Sequence, residues 1–421
     1  MKILHIVDFH PDYHDFYGGA EIATMRLVKE LEKNKIENYY LITPPTKDKI
    51  LEKNVFVTKT IYNYIDFKKP KSLKNRILRN FNFFKIIFPF DIIVFLKSRK
   101  ILKKIKPEIV HFHNFKKISF APLIWVKLYK IKSFLSIYDY WFFCPNETLI
   151  DLNNNICKKY NSIYCFKCFK IQFRFRIFLP LRKKFFNFFL KKIDGYIFLS
   201  NSSFKIGREY GLSIRKSKVI PQIFEEFKDK PYELPKGNIL LYVGWVQYRK
   251  GLHILIEALS NIKKEIPDVL LYVIGEIENV EKKYVENIFK MIKDKNLSEN
   301  VVIKGKLHHQ EIKKYFKESK VVVIPEQWEN MSPVVLVESM FNKKAIVASR
   351  IGGIKEFIED GKDGFLCEPQ NIYEFAEKIK ILLKNNELVK KFGENAFKKA
   401  KEIWDNEKNI NKIIEFYKEK N

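Results

Sequence analysis

Short apolar runs separated by polar loops and helical stretches recur along this chain and predict parallel β-sheets. The clearest example is residues 321–369, in which a buried strand ends at Pro325 and a polar loop follows. A helix is then predicted to open at Ser332 and Pro333, before a second strand, a glycine turn and a further helix. Strands that alternate with helices in this way are typical of a parallel sheet with crossover helices.

The start of that helix predicts a position for an anion. Ser332 is expected to cap the helix, and Pro333 loses no hydrogen bond there, because the first helical amides have no partner within the helix. Free backbone amides and the positive helix end therefore favour a phosphate group. Glu329 and Glu338 flank this point, and their carboxylates can accept hydrogen bonds from sugar hydroxyls. The alternative is that both are solvated glutamates at a helix end.

The first half of the chain opens with the same alternation. Residues 1–10 read as a strand, and Gly18 and Gly19 lie at the turn into a helix predicted from Ala20 to Lys33. Glycines at such a turn let the backbone approach a ligand closely. A later buried strand ends at His113, on the edge of the sheet where α/β proteins bind ligands. A structural histidine at a strand end is the alternative.

A polar, proline-punctuated stretch near residue 230 is typical of an interdomain linker. A new strand follows it, then Gly244 and a loop that contains Arg249 and Lys250. Two adjacent basic side chains in such a loop can stabilise an anionic group. A basic pair on the surface is the alternative.

Composition fits a globular chain with more than one domain. Its 421 residues are 46% hydrophobic, so the chain can bury large cores. The first ten residues contain charge and histidine, and we expect a strand there rather than a signal peptide. The most apolar run, residues 83–96, is interrupted by Lys85, Pro89 and Asp91 and is too short to cross a bilayer. We expect a cytoplasmic protein.

The net charge of +29 lies mostly before residue 235. Such a field suits phosphate-rich polymers, anionic lipids or acidic acceptors. Residues 53–106 and 167–192 mix basic with aromatic side chains, as do helices that lie on membrane surfaces. A core-packed helix with a solvated basic face is an equal alternative for residues 53–106. For residues 167–192 we favour a membrane or acceptor surface, peripheral at the inner face of the cell membrane.

Four of the five cysteines lie close together in sequence and end in a CxxC pair: Cys144, Cys157, Cys165 and Cys168. Four such thiols are a candidate structural zinc site. Two disulfides, which would need an oxidising compartment, and free structural thiols are the alternatives. No histidine that would leave an open coordination position accompanies the thiols, so a catalytic metal is not expected at them.

Residues 321–369 resemble the C-terminal signature of the family-4 retaining glycosyltransferases, which have the GT-B fold. In that family a Glu, seven residues and a second Glu frame the nucleotide-sugar, the first near the sugar and the second near the ribose. Eight residues separate Glu329 from Glu338 here, so either Glu329 or Asn330 takes the first position. The ribose contact is assigned to Glu338.

Other segments extend the resemblance. The segment from Ser136 to Pro145 is similar to an HDYWFxCP element of the family, with Tyr138 in place of its histidine. Lys250 matches a family lysine, whereas Trp245 stands where the family has arginine. The resemblance implies catalytic roles for His113, Glu329 and Asn330. Asp139 is a further catalytic candidate, which would orient an acceptor hydroxyl or act as a weak base, and capping a helix is an equal alternative for it. It implies donor binding by Gly18, Gly19, Gly244, Arg249, Lys250, Lys306, Leu307, Met331, Ser332, Pro333, Val334, Glu338 and Gly353.

The resemblance implies an α/β GT-B protein, with two Rossmann-like domains whose parallel sheets face a central cleft. We expect an acceptor-binding domain at 1–230, a donor-binding domain at 231–400 and a returning helix at 401–421. The implied reaction moves a sugar, with retention, from a nucleotide-diphosphate sugar to a lipid-linked or polysaccharide acceptor in cell-surface glycan synthesis. No cofactor is required for catalysis.

Two other functions stay open at this point. A nucleotide-sugar epimerase or hydrolase on the same fold would need no acceptor. A basic nucleic-acid-binding protein without enzymatic activity would also fit the charge. The cationic segments lack a helix-turn-helix or RNP motif, so a nucleic acid is not expected as the partner.

Overall fold

Two compact units make up the described part of the chain. The computed structural model describes residues 1–61, 87–168, 178–213, 215–225, 229, 231–278 and 280–419. One unit contains Met1–Glu225 together with Asn406–Asn421, and the other is Glu226–Asp405. The two boundaries lie about five residues from the domain boundaries predicted from the sequence, which are residues 230 and 400.

A parallel sheet of seven strands forms the centre of the first unit, in the order β3-β2-β1-β4-β5-β6-β7. All neighbouring strands run in the same direction, so their carboxyl ends lie at one edge. The strands are β1 Lys2–Ile6, β2 Glu37–Ile42, β3 Val55–Val57, β4 Ile109–Phe112, β5 Lys132–Ile137, β6 Gly195–Phe198 and β7 Ser217–Val219.

Helices connect these strands, as the alternating pattern predicts. They are α1 Gly19–Lys33, α2 Ile92–Ile105, α3 Ala121–Leu128, α4 Cys165–Cys168, α5 Leu179–Leu190 and α6 Asn201–Tyr210. The last helix of the chain, Asn406–Lys418, is numbered α14 and also packs in this unit. Its Ile410 and Phe416 share a hydrophobic cluster with Ile3 and Phe134 of the sheet.

The second unit has a parallel sheet of six strands in the order β10-β9-β8-β11-β12-β13. The strands are β8 Ile239–Val243, β9 Leu270–Ile274, β10 Val301–Gly305, β11 Val321–Ile324, β12 Ala345–Ser349 and β13 Phe365–Cys367. The helices are α7 Leu252–Lys263, α8 Lys282–Asp294, α9 His309–Glu318, α10 Val334–Phe341, α11 Ile354–Phe357, α12 Ile372–Lys384 and α13 Asn386–Ile403. Two Rossmann-like parallel sheets confirm the fold class predicted from the sequence.

The helix after β11 begins one residue later than the sequence predicts. Pro333 occupies the N-cap position of α10 with φ −61° and ψ 125°, and its side chain makes no capping hydrogen bond. The expectation that Ser332 caps it is therefore wrong, because the extended Pro333 shifts the first turn to Val334. The Leu336 amide of that turn donates to the Pro333 carbonyl at 3.1 Å, whereas the amides of Val334 and Val335 come too early in the helix to have an intrahelical partner.

Candidate functional site

Three histidines lie at the carboxyl edge of the first sheet. His5 of β1 pairs directly with His111 of β4, and His113 follows two residues later on the same face. All three side chains are buried. The ring centroid of His113 is 5.2 Å from that of His5 and 4.0 Å from that of His111. Parallel pairing thus brings together residues that are more than 100 positions apart in sequence.

Hydrogen bonds connect these rings to their surroundings. His5 Nδ1 lies 3.0 Å from His113 Nε2, and His5 Nε2 lies 3.0 Å from Asn38 Oδ1. His111 contacts the Ser136 hydroxyl at 2.9 Å and the Tyr417 hydroxyl of α14 at 2.6 Å. Among the described residues, His113 Nδ1 has no hydrogen-bond partner although it is buried.

The histidine cluster is electrically neutral near pH 7. Burial lowers the pKa of His5 from 6.5 to about 4, although its hydrogen bond to Asn38 Oδ1 acts in the opposite direction. Burial also lowers the pKa of His111 and His113 well below the ordinary value, and the neighbouring histidines add to the effect. The rings therefore act as hydrogen-bond donors and acceptors rather than as cations.

The predicted glycine loop lies beside the end of β4. The Gly18 amide, at the N-cap of α1, donates to Glu21 Oε2 at 2.8 Å, and Asn114 Nδ2 donates to Glu21 Oε1 at 2.9 Å. Glu21 is buried, and burial raises the pKa of its carboxyl. Gly19, the first helical residue, is exposed. Glu21 thus fixes the glycine loop against the residue after His113, and it is not among the residues predicted from the sequence.

Asp139 is held by an ion pair and by a turn. Lys116 Nζ lies 2.8 Å from Asp139 Oδ2 and 2.6 Å from Glu147 Oε2, and the Trp141 amide donates to Asp139 Oδ1. Burial lowers the pKa of Lys116, but the two carboxylates outweigh it and raise the pKa above the ordinary value. Asp139 thus faces a lysine that stays protonated.

Tyr138 stacks on His113, with ring centroids 6.0 Å apart. Burial raises the pKa of the Tyr138 phenol to about 12. The residue that replaces the family's histidine therefore keeps its proton at neutral pH. His113, Tyr138, Lys116 and Asp139 together line one small cavity.

In the second unit, a buried carboxylate that the sequence analysis missed organises the loop after β11. Glu326 Oε1 lies 2.5 Å from Lys250 Nζ and accepts a hydrogen bond from Asn330 Nδ2 at 3.0 Å. The Trp328 indole N–H donates to the other carboxylate oxygen. Glu326 is 2% exposed and Lys250 is 19% exposed. Burial lowers the pKa of Lys250, and the charge of Glu326 opposes that shift.

Arg249 and two glycines complete this arrangement. The Arg249 guanidinium lies 4.5 Å from the centre of the Trp328 ring, and its Nε donates to Gln247 Oε1 at 3.0 Å. Gly251 has φ +74°, and a Cβ there would lie 1.7 Å from the Pro325 carbonyl oxygen. A Cβ at Gly244 would contact the Lys250 side chain at 3.8 Å. The loops after β8 and β11 therefore pack so closely that only glycine fits at residue 251.

Glu329 and Asn330 are the two candidates for the first glutamate of the family's signature, and Asn330 is the more buried of the two. Asn330 is buried and bonded to Glu326, and its carbonyl accepts from the Gly353 amide at 2.7 Å. A Cβ at Gly352 would lie 2.3 Å from the same carbonyl. Glu329 is only half-buried.

The remaining predicted donor residues lie in the second unit at or near the carboxyl edge of its sheet. Met331, Ser332 and Pro333 are buried before α10, and Val334 is half-buried at its start. Glu338 is buried within α10. Lys306 and Leu307 follow the edge strand β10, where Lys306 is exposed and Leu307 is half-buried.

The four cysteines are free thiols, and two of them, Cys144 and Cys165, interact electrostatically with the buried Arg182. Burial raises the pKa of Cys144 to about 11 and also raises the pKa of Cys165 and Cys168. Arg182 is fully buried, and its Nε and Nη1 have no hydrogen-bond partner within the described ranges.

Within the described residues, the histidine cluster is the group of three side chains whose potential metal-ligating atoms all lie within 4.8 Å of one another. No three of the thiols meet that spacing, so the zinc site stays a prediction.

Part of the two basic segments lies outside the described residues, namely residues 62–86 and 169–177. In the described part, α2 exposes Ile92, Ile93 and Leu96, and α5 exposes Leu181 and Phe188. None of the helices described here is long and apolar enough to span a membrane.

Two family models match adjacent spans of the chain. Residues 17–223 match the model described as Glycosyltransferase Family 4, and residues 224–399 match the model described as Glycosyl transferases group 1. The spans meet next to the boundary between the two compact units, and together they take in most of the chain.

Curated relatives match about half of this chain or less. It is 30% identical to a poly(ribitol-phosphate) alpha-N-acetylglucosaminyltransferase of Staphylococcus aureus (strain COL), over 46% of this chain and 38% of that protein. It is 33% identical to an uncharacterized glycosyltransferase of Methanocaldococcus jannaschii, over 40% of this chain and 45% of the relative. Each match spans less than half of the relative's own length.

Solved structures match over the full length. HepE from Anabaena in complex with UDP has a TM-score of 0.70 at 19% identity, and the match covers 99% of both chains. The same protein in complex with UDP-glucose has a TM-score of 0.69. At this identity the similarity concerns the fold, and it agrees with the GT-B architecture expected from the sequence.

Proposed function

Because this chain belongs to the family 4 and group 1 glycosyltransferases, we propose that it moves a hexose from a nucleotide-diphosphate sugar to a lipid-linked or polysaccharide acceptor. We further propose that the anomeric configuration is retained and that the product belongs to a cell-surface glycan. The buried contact between Lys250 and Glu326 carries this proposal. It holds a cation at the edge of the second sheet, at a position that matches the family's diphosphate-binding lysine.

The second unit would bind the nucleotide and its diphosphate. Lys250, Arg249 and the free amides at the start of α10 would stabilise the charge that develops on the leaving diphosphate. A bound diphosphate would favour the protonated form of Lys250, because it adds negative charge where burial alone disfavours the cation. Glu338 would accept hydrogen bonds from the ribose, and the backbone at Lys306 and Leu307 would meet the base.

Each unit offers a neutral polar group that can bind a sugar hydroxyl. The Asn330 amide is oriented by Glu326, and His113 is neutral with an unpartnered Nδ1 within the described chain. Neither needs to gain or lose a proton to bind a hydroxyl. In the proposed transfer, the acceptor hydroxyl attacks on the face that the diphosphate leaves, and the leaving phosphate takes its proton.

The first unit would present the acceptor, and its exposed apolar and basic residues suit an anionic membrane surface. Phe88, four residues before α2, packs edge-on against Phe185 of α5, with ring centroids 4.6 Å apart. Leu181 and Phe188 lie one helical turn on either side of Phe185 and are exposed. Apolar side chains ringed by lysines are typical of surfaces that dip into a lipid interface.

A thermal-shift panel of nucleoside diphosphates tests the proposal. A ligand that binds the folded state raises the melting temperature by mass action. We expect one diphosphate to raise it in the native protein and in the exposed-residue control Lys290→Met, and to have less effect on Lys250→Met. Absence of any shift across UDP, GDP, ADP, CDP and TDP would contradict nucleotide-sugar binding.

A further inference from the structure

The buried pair of His5 and Asn38 lies next to His113, and His5 connects Asn38 to His113 through its two ring nitrogens. We propose that Asn38 and His5 are positioning residues that keep His113 in the Nε2–H form. Its Nδ1 then presents a lone pair that accepts a hydrogen bond from a sugar hydroxyl of the substrate. The hydroxyl part of this inference rests on the proposed function, whereas the proton arrangement does not.

The orientation of the Asn38 amide determines which atoms donate and which accept in these hydrogen bonds. Its Nδ2 donates to the Ile36 carbonyl at 2.8 Å, so the amide is oriented with Oδ1 towards His5 Nε2, 3.0 Å away. An amide oxygen only accepts hydrogen bonds, so His5 Nε2 carries the proton. Because His5 is neutral, its Nδ1 then has a lone pair.

The lone pair on His5 Nδ1 in turn determines which nitrogen of His113 is protonated. His5 Nδ1 and His113 Nε2 are 3.0 Å apart, and one of the two must donate. Since His5 Nδ1 has the lone pair, His113 Nε2 is the donor, and a neutral imidazole carries only one such proton. His113 Nδ1 is therefore an acceptor.

That acceptor is buried and has no partner among the described residues. Buried polar atoms are nearly always hydrogen-bonded, and an exception points to a missing partner. Nδ1 belongs to a ring that lines the small cavity shared with Tyr138 and Asp139. A group that donates a hydrogen bond would complete the site, and a sugar hydroxyl has that chemistry. A sugar carboxylate is disfavoured, because its oxygen lone pairs would repel the lone pair of Nδ1.

A metal ion is the competing occupant, because ligand atoms of His5, His111 and His113 all lie within 4.8 Å. An ion between His5 and His113 would require a lone pair on both facing nitrogens. The proton of His113 would then have to move to Nδ1, where the described residues offer no acceptor. His111 would also have to give up a bond to Ser136 or Tyr417. The hydrogen-bonded arrangement needs none of these changes.

Long-range 1H–15N spectra of the full chain labelled at its eight histidines test the arrangement without substrate. We expect His5 and His113 to be neutral and protonated at Nε2 at pH 7. In Asn38→Leu the acceptor for His5 is lost, so we expect His113 to show a mixture of tautomers. Asn38→Asp keeps an acceptor at this position and should keep the native tautomer, provided both variants give folded spectra.

Three outcomes would overturn the inference. They are a native His113 protonated at Nδ1, an Asn38→Leu protein with the native tautomer unchanged, and loss of the facing Nε2 proton on titration with zinc. Each concerns the substrate-free protein, so each is independent of whether the chain transfers sugars.

Single-hydroxyl deletions then identify the source of the hydroxyl. Deoxy analogues of the donor found in the nucleotide panel, and of the acceptor sugar, are compared by kcat/KM in the native protein and in Asn38→Leu. We expect one deletion to reduce kcat/KM by about tenfold in the native protein and by less in the variant. If that deletion is in the donor, the lone pair faces the donor sugar; if it is in the acceptor, it faces the acceptor. Equal losses in both proteins for every analogue would contradict a sugar contact.

Discussion

Lys250 and Glu326 form a mostly buried ion pair, 2.5 Å between Nζ and Oε1, in the loops that follow β8 and β11. Glu326 also accepts from Asn330 and Trp328, so one carboxylate orients both a cation and an amide. These contacts connect the loop after β11 to the loop after β8. They also place the two side chains that we assign to the diphosphate and the sugar on one shared partner.

Replacing Lys250 tests the electrostatic part of the mechanism. Lys250→Met removes the cation that would stabilise the leaving diphosphate, and we expect turnover to fall by about 100-fold or more. The measurement is kcat with the donor identified in the nucleotide panel. Lys290→Met, at an exposed position on α8, serves as the control and should keep native turnover. Full turnover in Lys250→Met would contradict the assignment.

Gly251 tests the close approach of the two loops. A Cβ at Gly251 would meet the Pro325 carbonyl at 1.7 Å in addition to the strain of φ +74°. We expect Gly251→Ala to lower the free energy of unfolding by roughly 2–4 kcal/mol. Gly361 has a similar φ of +78° with open space around it, so Gly361→Ala should cost only about 1 kcal/mol. Urea titrations measure both free energies of unfolding. If Gly251→Ala and Gly361→Ala lowered this free energy equally, the contact with Pro325 would not matter for stability.

The lowered pKa of His5 predicts a loss of stability in mild acid. Its pKa is about 4 in the folded protein against an ordinary 6.5, so between these values the unfolded chain binds more protons than the folded chain. Stability is therefore lost as pH falls from 6.5 towards 4, at up to roughly 1.4 kcal/mol per pH unit from this group.

Urea unfolding at a series of pH values measures this dependence. His5→Gln should show a shallower decline than the native protein, and His308→Gln, at an exposed position, should follow the native curve. A decline of the same steepness in His5→Gln would mean that His5 does not contribute.

The four cysteines predict zinc binding. A zinc ion held by four thiolates carries excess negative charge, which the buried Arg182 beside Cys144 and Cys165 would balance. We expect elemental analysis to find one zinc per chain and Cys157→Ser with Cys168→Ser to lose it. The thiols would have to draw closer than they lie in the structure. A native protein with four reactive thiols and no zinc would refute this prediction.

The exposed apolar residues of α2 and α5 predict binding to anionic membranes. We expect co-sedimentation with vesicles that contain phosphatidylglycerol, weakened by salt because lysines contribute. Leu96→Ser with Phe188→Ser should reduce binding, whereas Tyr373→Ser, an exposed aromatic in the second unit, should not. Equal binding by both variants would show that another surface is responsible.

Local sequence patterns were sufficient to predict the alternating strands and helices of the fold, but they predicted only part of the candidate site. Apolar runs such as β11 and β12 are recognisable because parallel strands are buried on both faces. Gly244 and Lys250 were likewise recognisable as residues of the loop that directly follows a predicted strand. Each of these features is encoded within a few residues.

The features that were missed depend on distant contacts. Glu326 looks like an ordinary loop acid until β8 and β11 pair and bring it to Lys250. His5 and Asn38 look like strand interior residues until the register of β1 with β2 and β4 aligns them with His113. The cap at Ser332 was wrong because the extended backbone of Pro333 starts the helix one residue later.

The measurement closest to the central claim is release of nucleoside diphosphate from a panel of nucleotide sugars, with and without a lipid extract. We predict that one donor is consumed only when the extract is present and that its labelled sugar appears on an extracted lipid or glycan. Equal consumption without the extract would indicate a hydrolase or epimerase, and no consumption of any donor would contradict the glycosyltransferase assignment.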